Sequence, residues 1–205
     1  MIKILIVDDH TAIRDSFRHA LEACDDMEVL DDIADASLAL IFCRSLSPDV
    51  VLMDVCTAGG ASGLKAAQQL KAQMPHIKVI VMTGFDEITY MPRAKESGAD
   101  AFVEKSMSLP FFIQVIRDVA SGGSYFPKRK SIPVQRGESP LTEREIQVLK
   151  MVCQGLSRVQ IAQEMCISEN TVYRHIQNIT GKMGFERTSE LVAHVVLNGW
   201  LNPKY

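Results

Sequence analysis

Five polar residues have the types and the spacing that phosphoryl-transfer chemistry needs. Each ends or follows a short apolar run: Asp8 and Asp9 the first, Asp54 the third, Thr83 the fourth and Lys105 the fifth. Clustered carboxylates repel one another unless a cation lies between them, and hard oxygen ligands suit Mg²⁺ or Mn²⁺. A carboxylate beside such a metal can attack a phosphoryl donor, while the metal, the hydroxyl and the ammonium neutralise the phosphoryl oxygens.

The elements that must position these residues are read from the apolar pattern. Short β-branched runs alternate with longer amphipathic stretches, which is typical of βα units and a parallel sheet. We predict strands over Ile2 to Val7, Glu28 to Ile33, Val50 to Met53, Val79 to Met82 and Ala101 to Val103, and helices near 12–23, 36–45, 62–73, 87–97 and 109–120. These five strands and five helices predict an α/β domain with a doubly wound, flavodoxin-like parallel sheet.

In such a sheet, ligands bind at the carboxyl ends of the strands, where the strand order reverses. All five polar residues should therefore lie on one rim. A single Asp after a strand more often caps the next helix, and a single Lys there is more often solvated. Five matching types at the ends of four strands are hard to obtain by chance, and this coincidence favours a site.

The remainder of the chain predicts a linker and an all-α domain. Glycines and prolines between 122 and 140 interrupt any apolar period, so we place a linker at 124–139 between domains at 1–123 and 140–205. Four helices follow, with residues suited to capping boxes at Thr142/Glu145 and Ser157/Gln160 and to plain N-caps at Ser168 and Thr188.

The third of these helices, 169–183, has one apolar face formed by Val172, Ile176, Ile179 and Met183. The segment "CIS" joins this helix to the one before it, and it is long enough only for a tight turn. Two helices so joined, the second with a polar outer face, have helix-turn-helix geometry. An ordinary helical hairpin with a solvated face gives the same pattern.

Charge is distributed unevenly along the chain, whose net charge is −3. Residues 1–126 carry 11 basic and 18 acidic side chains, a net charge of −7, whereas residues 127–137 carry four basic side chains and no acidic one. An acidic first half does not suit nucleic acid, but a basic connector beside a neutral module does. The early apolar run Ile4 to Val7 is too short for a signal peptide or a membrane span, so we expect a cytoplasmic protein without membrane contact.

Residues 1–120 resemble the receiver domain of two-component response regulators, through "ILIVDDH", "DVVLMD", "VIVMTG" and "GADAFVEKS". The resemblance implies that a sensor histidine kinase phosphorylates Asp54. It also implies a metal site formed by Asp8, which acts through water, Asp9, Asp54 and the carbonyl of Cys56. The phosphoryl group would be held by Thr83 and Lys105, and Phe102 would be the aromatic switch residue. A plain core phenylalanine is an equally good interpretation of Phe102.

Residues 140–199 resemble the LuxR-type output domain of NarL/FixJ-like regulators, through "LTEREIQVL", "GLSRVQIA" and "CISENTVYRHIQNITGKM". This implies a transcription regulator that binds double-stranded DNA as a homodimer when active. The candidate DNA contacts are Arg158, Ser168, Asn170, Thr171, Tyr173, Arg174, Gln177, Asn178 and Lys182. The candidate dimer contacts on the last helix are Val192, Val195 and Val196.

Three features depart from these families. The segment "VCTAGGASGL" after Asp54 lacks the usual proline and is one residue longer, which predicts a looser loop. Pro92 lies where the fourth helix should already be running, so we expect that helix to begin near Met91 or to have a disordered first turn. Tyr173 and Gln177 stand where lysine is common, which predicts weaker DNA binding.

Two alternatives stay open. One is a phosphorylation-independent regulator, or a protein-interaction adaptor that binds DNA weakly. The other is a hydrolase with an aspartate nucleophile, although Cys56 stands where such enzymes usually have an acid/base Asp. We expect no enzyme, beyond phosphoryl acceptance at Asp54 and slow self-dephosphorylation.

Overall fold

The computed structural model describes residues 1–57, 60–84, 90–127 and 132–201. They form two compact units, the first within residues 1–127 and the second within residues 132–201. Among the helices of these ranges, none combines the length and the apolarity that crossing a bilayer requires. The expected cytoplasmic location stays a prediction.

The first unit contains a five-stranded sheet in the order β2-β1-β3-β4-β5, with every pair parallel. The strands are β1 (Ile2–Val7), β2 (Met27–Ile33), β3 (Val50–Asp54), β4 (Lys78–Thr83) and β5 (Ala101–Glu104). All five predicted strands are confirmed to within a residue at each end. The strand order reverses beside β1, as in a doubly wound sheet, which confirms the predicted fold class.

Five α-helices flank this sheet in the described residues of the first unit, and a short 3₁₀ turn at Ala36–Leu38 precedes the second of them. The side chain of Asp35 accepts a hydrogen bond from the Ser37 N–H and begins this turn. The α-helices are α1 (Thr11–Glu22), α2 (Ala39–Leu46), α3 (Gly63–Gln73), α4 (Tyr90–Glu96) and α5 (Leu109–Ala120). Residues 87–89 of the predicted fourth helix lie outside the described residues. As described, α4 begins at Tyr90, one residue before the predicted start, and Pro92 lies in its first turn.

Side chains bury both faces of the sheet. Leu5, Val51 and Val79 point into one core, and their strand neighbours Ile4 and Ile80 point into the other. Successive residues of a strand face opposite sides, so two buried faces require a continuous apolar run. This is why the inner strands β1, β3 and β4 read as nearly continuous apolar segments, whereas β2 at the edge of the sheet has Asp31 and Asp32 in its interior.

The ends of the predicted linker make contacts within the two units. In the first unit, the Phe102 N–H donates to the Tyr125 carbonyl at 2.8 Å, and the Phe126 ring lies 4.8 Å from Lys95 Nζ. In the second, Ile132 is buried and the Gln135 N–H donates to the Lys182 carbonyl. Residues 128–131 lie outside the described residues.

The second unit contains four helices in its described residues: α6 (Glu143–Cys153), α7 (Arg158–Glu164), α8 (Glu169–Met183) and α9 (Thr188–Leu197). Capping boxes begin α6 at Thr142 and α7 at Ser157, and the Ser168 side chain caps α8, as predicted. The prediction of an N-cap at Thr188 is wrong. Arg187 has the extended backbone of that position, and no side chain caps α9.

The apolar stripe of α8 packs into the core of this unit. Val172, Ile176, Ile179 and Met183 are all buried there, together with Ile161 from α7. Only a short turn separates α7 from α8, and Cys166 within it has the left-handed φ of 53°. The predicted helix-turn-helix geometry is confirmed.

Candidate functional site

The carboxyl ends of the strands bring the predicted pocket residues to one rim of the sheet. Asp8 follows β1 and Asp54 ends β3, and these strands are paired up to Val7 and Met53. Thr83 ends β4, is buried and is in register with Glu104 of β5. Asp8 and Asp54 are also buried, so their charges depend on neighbouring groups rather than on water.

Lys105 joins the two buried carboxylates. Its backbone N–H donates to the Thr83 carbonyl at 2.6 Å, which fixes the start of the chain after β5. Its Nζ lies 2.6 Å from Asp8 Oδ2 and 2.9 Å from Asp54 Oδ2. One ammonium therefore faces two carboxylates and can offset the charge of only one, and Asp9 adds a third negative charge beside them.

The electrostatic environment raises the pKa of Asp54 to about 6. Burial is the largest cause, and the neighbouring charges of Asp8 and Asp9 raise it further, whereas Lys105 opposes the shift. The ionised carboxylate is thus held where negative charge is costly. Because negative charge is concentrated in this pocket, the binding of a further cation is favoured there.

Asp8 supplies the structural test of a metal site. Its Oδ1 accepts from the His10 N–H at 3.0 Å, and its buried Oδ2 forms an ion pair with Lys105 Nζ at 2.6 Å but no hydrogen bond in the described structure. Ligand atoms of Asp8, Asp9, His10 and Asp54 all lie within 4.8 Å of one another. Such a set of mainly carboxylate oxygens fits a divalent cation of the Mg²⁺ type.

The loop after Asp54 is closed by short-range pairing in its described part. Cys56 forms a bridge with Ser62, and the Thr57 N–H donates to the Ala61 carbonyl at 3.0 Å. The prediction that this loop is loose also involves Ala58 and Gly59, which lie outside the described residues. The role of the Cys56 carbonyl as a metal ligand stays a prediction.

Gly63 allows the loop to return over the end of β3. Its N–H donates to the Val55 carbonyl at 2.9 Å, and a Cβ at this position would overlap the carbonyl oxygen of Asp54. Only glycine permits so close an approach of two backbone segments.

Phe102 is buried in the same core as Tyr90 and Ala94. This placement fits the core interpretation, and the switch role stays a prediction.

Two further residues near the pocket, His10 and Tyr90, were not predicted from the sequence. His10 Nδ1 lies 2.7 Å from Asp9 Oδ1, and the hydroxyl of the buried Tyr90 lies 3.8 Å from Cys56 Sγ. The position of His10 directly after the acidic pair was the available signal for the first.

In the second unit, α8 presents most of the predicted DNA contacts on one exposed surface. Asn170, Tyr173, Arg174, Gln177 and Asn178 are exposed, and Thr171 is partly exposed. Ser168 Oγ accepts from the Thr171 N–H at 3.1 Å and lies 2.8 Å from the Thr171 hydroxyl. We call the exposed surface formed by these helix residues, Asn170, Thr171, Tyr173, Arg174, Gln177 and Asn178, the outer face of α8.

The side chain of Lys182 binds residues at the start of α6 instead of joining the outer face of α8. Its Nζ lies 2.9 Å from Glu145 Oε2 and 3.4 Å from the Pro140 carbonyl, which attaches α8 to the start of α6. Burial raises the pKa of the Glu145 carboxyl, but hydrogen bonds from Lys182 and Thr142 outweigh this and hold it below its usual range. The DNA contact of Lys182 stays a prediction, and this packing argues against it.

The candidate dimer residues of α9 have different environments. Val195 is completely buried in the core of the second unit, so a second copy cannot reach its side chain. Val192 and Val196 are partly buried against the same core. Leu197, which follows them, is 85% exposed and was not among the predicted contacts.

The comparisons with known proteins agree with this geometry. Residues 4–117 match the response regulator receiver domain, and residues 139–195 match the bacterial regulatory proteins of the luxR family. The response regulator protein VraR of Staphylococcus aureus is 31% identical over 94% of this chain and 95% of its own length. The transcriptional regulatory protein DegU of Brevibacillus brevis is 29% identical over 98% of this chain and 95% of its own length.

A solved structure shares the fold of both units. RcsB from Salmonella enterica serovar Typhimurium, bound to a promoter in the presence of the phosphomimetic BeF₃⁻, has a TM-score of 0.65 and 19% identity over 95% of this chain and 97% of its own. The doubly wound sheet with its acidic rim is a receiver, and the second unit is a helix-turn-helix domain. The chain belongs to the response regulators that combine a receiver domain with a LuxR-type DNA-binding domain.

Proposed function

We propose that this response regulator accepts a phosphoryl group on Asp54 from a sensor histidine kinase and then binds double-stranded DNA as a homodimer to regulate transcription. The observation that carries the proposal is the contact of Lys105 Nζ with both Asp8 and Asp54 at the ends of β1 and β3. It brings a nucleophile, a second carboxylate and a cation together on one buried rim.

In the proposed reaction, a carboxylate oxygen of Asp54 attacks the phosphorus of the donor. A P–O bond to Asp54 forms as the bond between phosphorus and the donor's imidazole nitrogen breaks. We expect the Lys105 ammonium to neutralise the negative charge on the phosphoryl oxygens, and the Thr83 side chain at the end of β4 to bind the same group.

The residues that would hold Mg²⁺ are Asp9, Asp54 and the Cys56 carbonyl, with Asp8 acting through water. When bound, the metal would neutralise the carboxylates and the incoming phosphoryl oxygens. Its expected effect on this chain is to satisfy Asp8 Oδ2, the buried oxygen that lacks a hydrogen-bond partner in the structure.

The test is mass spectrometry of the full chain with Mg²⁺ and acetyl phosphate, beside Asp54→Asn and a sample with EDTA. We expect one phosphoryl adduct in the wild type and none in the variant or without metal. An adduct of equal yield on Asp54→Asn would refute the proposed acceptor. Gel filtration of the same samples tests dimerisation, which we expect only with the adduct.

One observation favours a second candidate, a regulator or adaptor that binds DNA weakly. On the outer face of α8, Arg174 is the one lysine or arginine that the described structure exposes, because Lys182 binds Glu145. Few phosphate contacts give weak binding with a shallow dependence on salt. A salt titration of DNA binding distinguishes the candidates, since an adaptor would bind DNA with little change in affinity as salt increases.

A further inference from the structure

The clearest unexplained contact of the second unit lies beside the outer face of α8. The guanidinium carbon of Arg158, the first residue of α7, lies 5.7 Å from the centre of the Tyr173 ring. Both residues are exposed, and 48% of Tyr173 remains accessible. A cation within about 6 Å of an aromatic ring is attracted by its electron-rich face.

The pair stands at the edge of an open groove of about 280 Å³. Ile161 and Ile176 line this groove beside Arg158 and Tyr173. The guanidinium of Arg158 lies over the Tyr173 ring at this edge of the groove. No carboxylate partner of Arg158 occurs within the described parts of the chain.

A guanidinium that lies over a ring keeps its N–H donors at its own edge. These donors are arranged as a planar fork that matches the oxygens of a phosphate. The ring restricts the long, flexible side chain to one region, so less conformational freedom is lost when a phosphate binds. Tyr173 is itself one helical turn inside α8, on the face proposed to meet DNA.

We propose that Tyr173 is a positioning residue that holds Arg158 for contact with a DNA phosphate, so that the two side chains act as one unit. The inference rests on the proposed DNA-binding function and deepens it. The cation that α8 lacks at position 173 is supplied by α7, across the turn between the helices.

The test is a double-mutant cycle on the full chain, pretreated with acetyl phosphate and Mg²⁺. Fluorescence anisotropy would measure affinity for a labelled duplex of random sequence over a range of salt concentrations. The variants are Arg158→Gln, Tyr173→Leu, their combination and Tyr173→Phe. Thermal unfolding of each variant checks that the fold is kept.

We expect Arg158→Gln to reduce the slope of log affinity against log salt by about 1, since one phosphate contact is lost. Tyr173→Leu should weaken binding about two- to fivefold, the effect of one exposed cation–π contact. When Arg158→Gln is already present, Tyr173→Leu should cause no further loss of DNA affinity. Tyr173→Phe keeps the ring and should restore the affinity that Tyr173→Leu loses.

A matched cycle with Arg136→Gln, an exposed arginine before α6, should show independent effects. Equal losses from Tyr173→Leu with and without Arg158 would overturn the inference, as would a Tyr173→Phe protein as weak as Tyr173→Leu. Wild-type protein that binds no DNA at any salt concentration would instead overturn the proposed DNA-binding function, and the inference with it.

Discussion

The lysine of the acidic pocket contributes its charge to the site, whereas the lysine of α8 does not contribute its charge to the outer face of that helix. In the pocket, Lys105 reaches over the strand ends and contacts Asp8 and Asp54. On α8, Lys182 turns away from the outer face and binds Glu145 of α6. A basic residue in a functional motif contributes charge to a site only when the fold leaves its side chain there.

The same contrast applies to the whole of each region. In the pocket, Asp8, Asp54 and Thr83 are buried, and Lys105 contacts both of these carboxylates. The outer face of α8 is solvated, and its residues can change with little cost to the fold. The five polar residues of the pocket match the family motifs, whereas Tyr173 and Gln177 on the exposed face of α8 depart from them.

The largest expected effect is at the backbone that closes the pocket. Gly63→Ala would place a methyl group against the carbonyl of Asp54, and we expect it to destabilise the receiver by roughly 3 kcal/mol or more. Urea unfolding followed by circular dichroism would measure the loss. The fluorescence of Trp200, the one tryptophan, reports on the second unit and should keep its transition.

Gly181→Ala is the matched control on α8, where a methyl group would meet no atom within 4 Å. It should stabilise the second unit by roughly 0.5 to 1 kcal/mol, because alanine restricts the unfolded chain. If the two substitutions had similar effects on stability, the contrast between a closed pocket and an open surface would be broken.

We expect an intermediate effect on stability when the ion pair between Glu145 and Lys182 is removed. The folded-state pKa of Glu145 is lowered, so its contribution is present above the unfolded pKa of about 4.3 and is lost as pH falls through the folded value. We expect Glu145→Gln to cost about 2 kcal/mol at neutral pH and progressively less below about pH 4.

Urea unfolding followed by Trp200 fluorescence at several pH values would measure this difference. Glu164→Gln, a change at an exposed glutamate that ends α7, is the control and should have little effect at any pH. A Glu145→Gln cost that did not change with pH would show that the ion pair with Lys182 is not its source.

The smallest effect concerns charge added to the outer face. Gln177→Lys places a cation on the exposed surface of α8 and should steepen the salt dependence of DNA binding by about 0.9 in the log–log slope. Gln154→Lys, at the exposed end of α6, makes the same change in charge and serves as the control. An equal change in slope for both variants would mean that net charge, rather than the outer face, governs binding.

The sequence by itself determined the elements and their order. Short runs rich in β-branched and other apolar residues predicted the strands, although Asp31 and Asp32 interrupt the second, and local capping residues predicted the starts of α6, α7 and α8. These signals depend on residues close together in the chain, which is why they could be read without a fold. The pocket followed as well, because the ends of parallel strands must share a rim.

Only the tertiary structure decided which side chains meet. Glu145 and Lys182 are 37 residues apart, and their pairing depends on how α6 and α8 pack. The burial of Val195 and the contact of Arg158 with Tyr173 also depend on packing between helices. Periodicity identifies the face of a helix on which a residue lies, but the partner it finds there is set by the three-dimensional arrangement of the other helices.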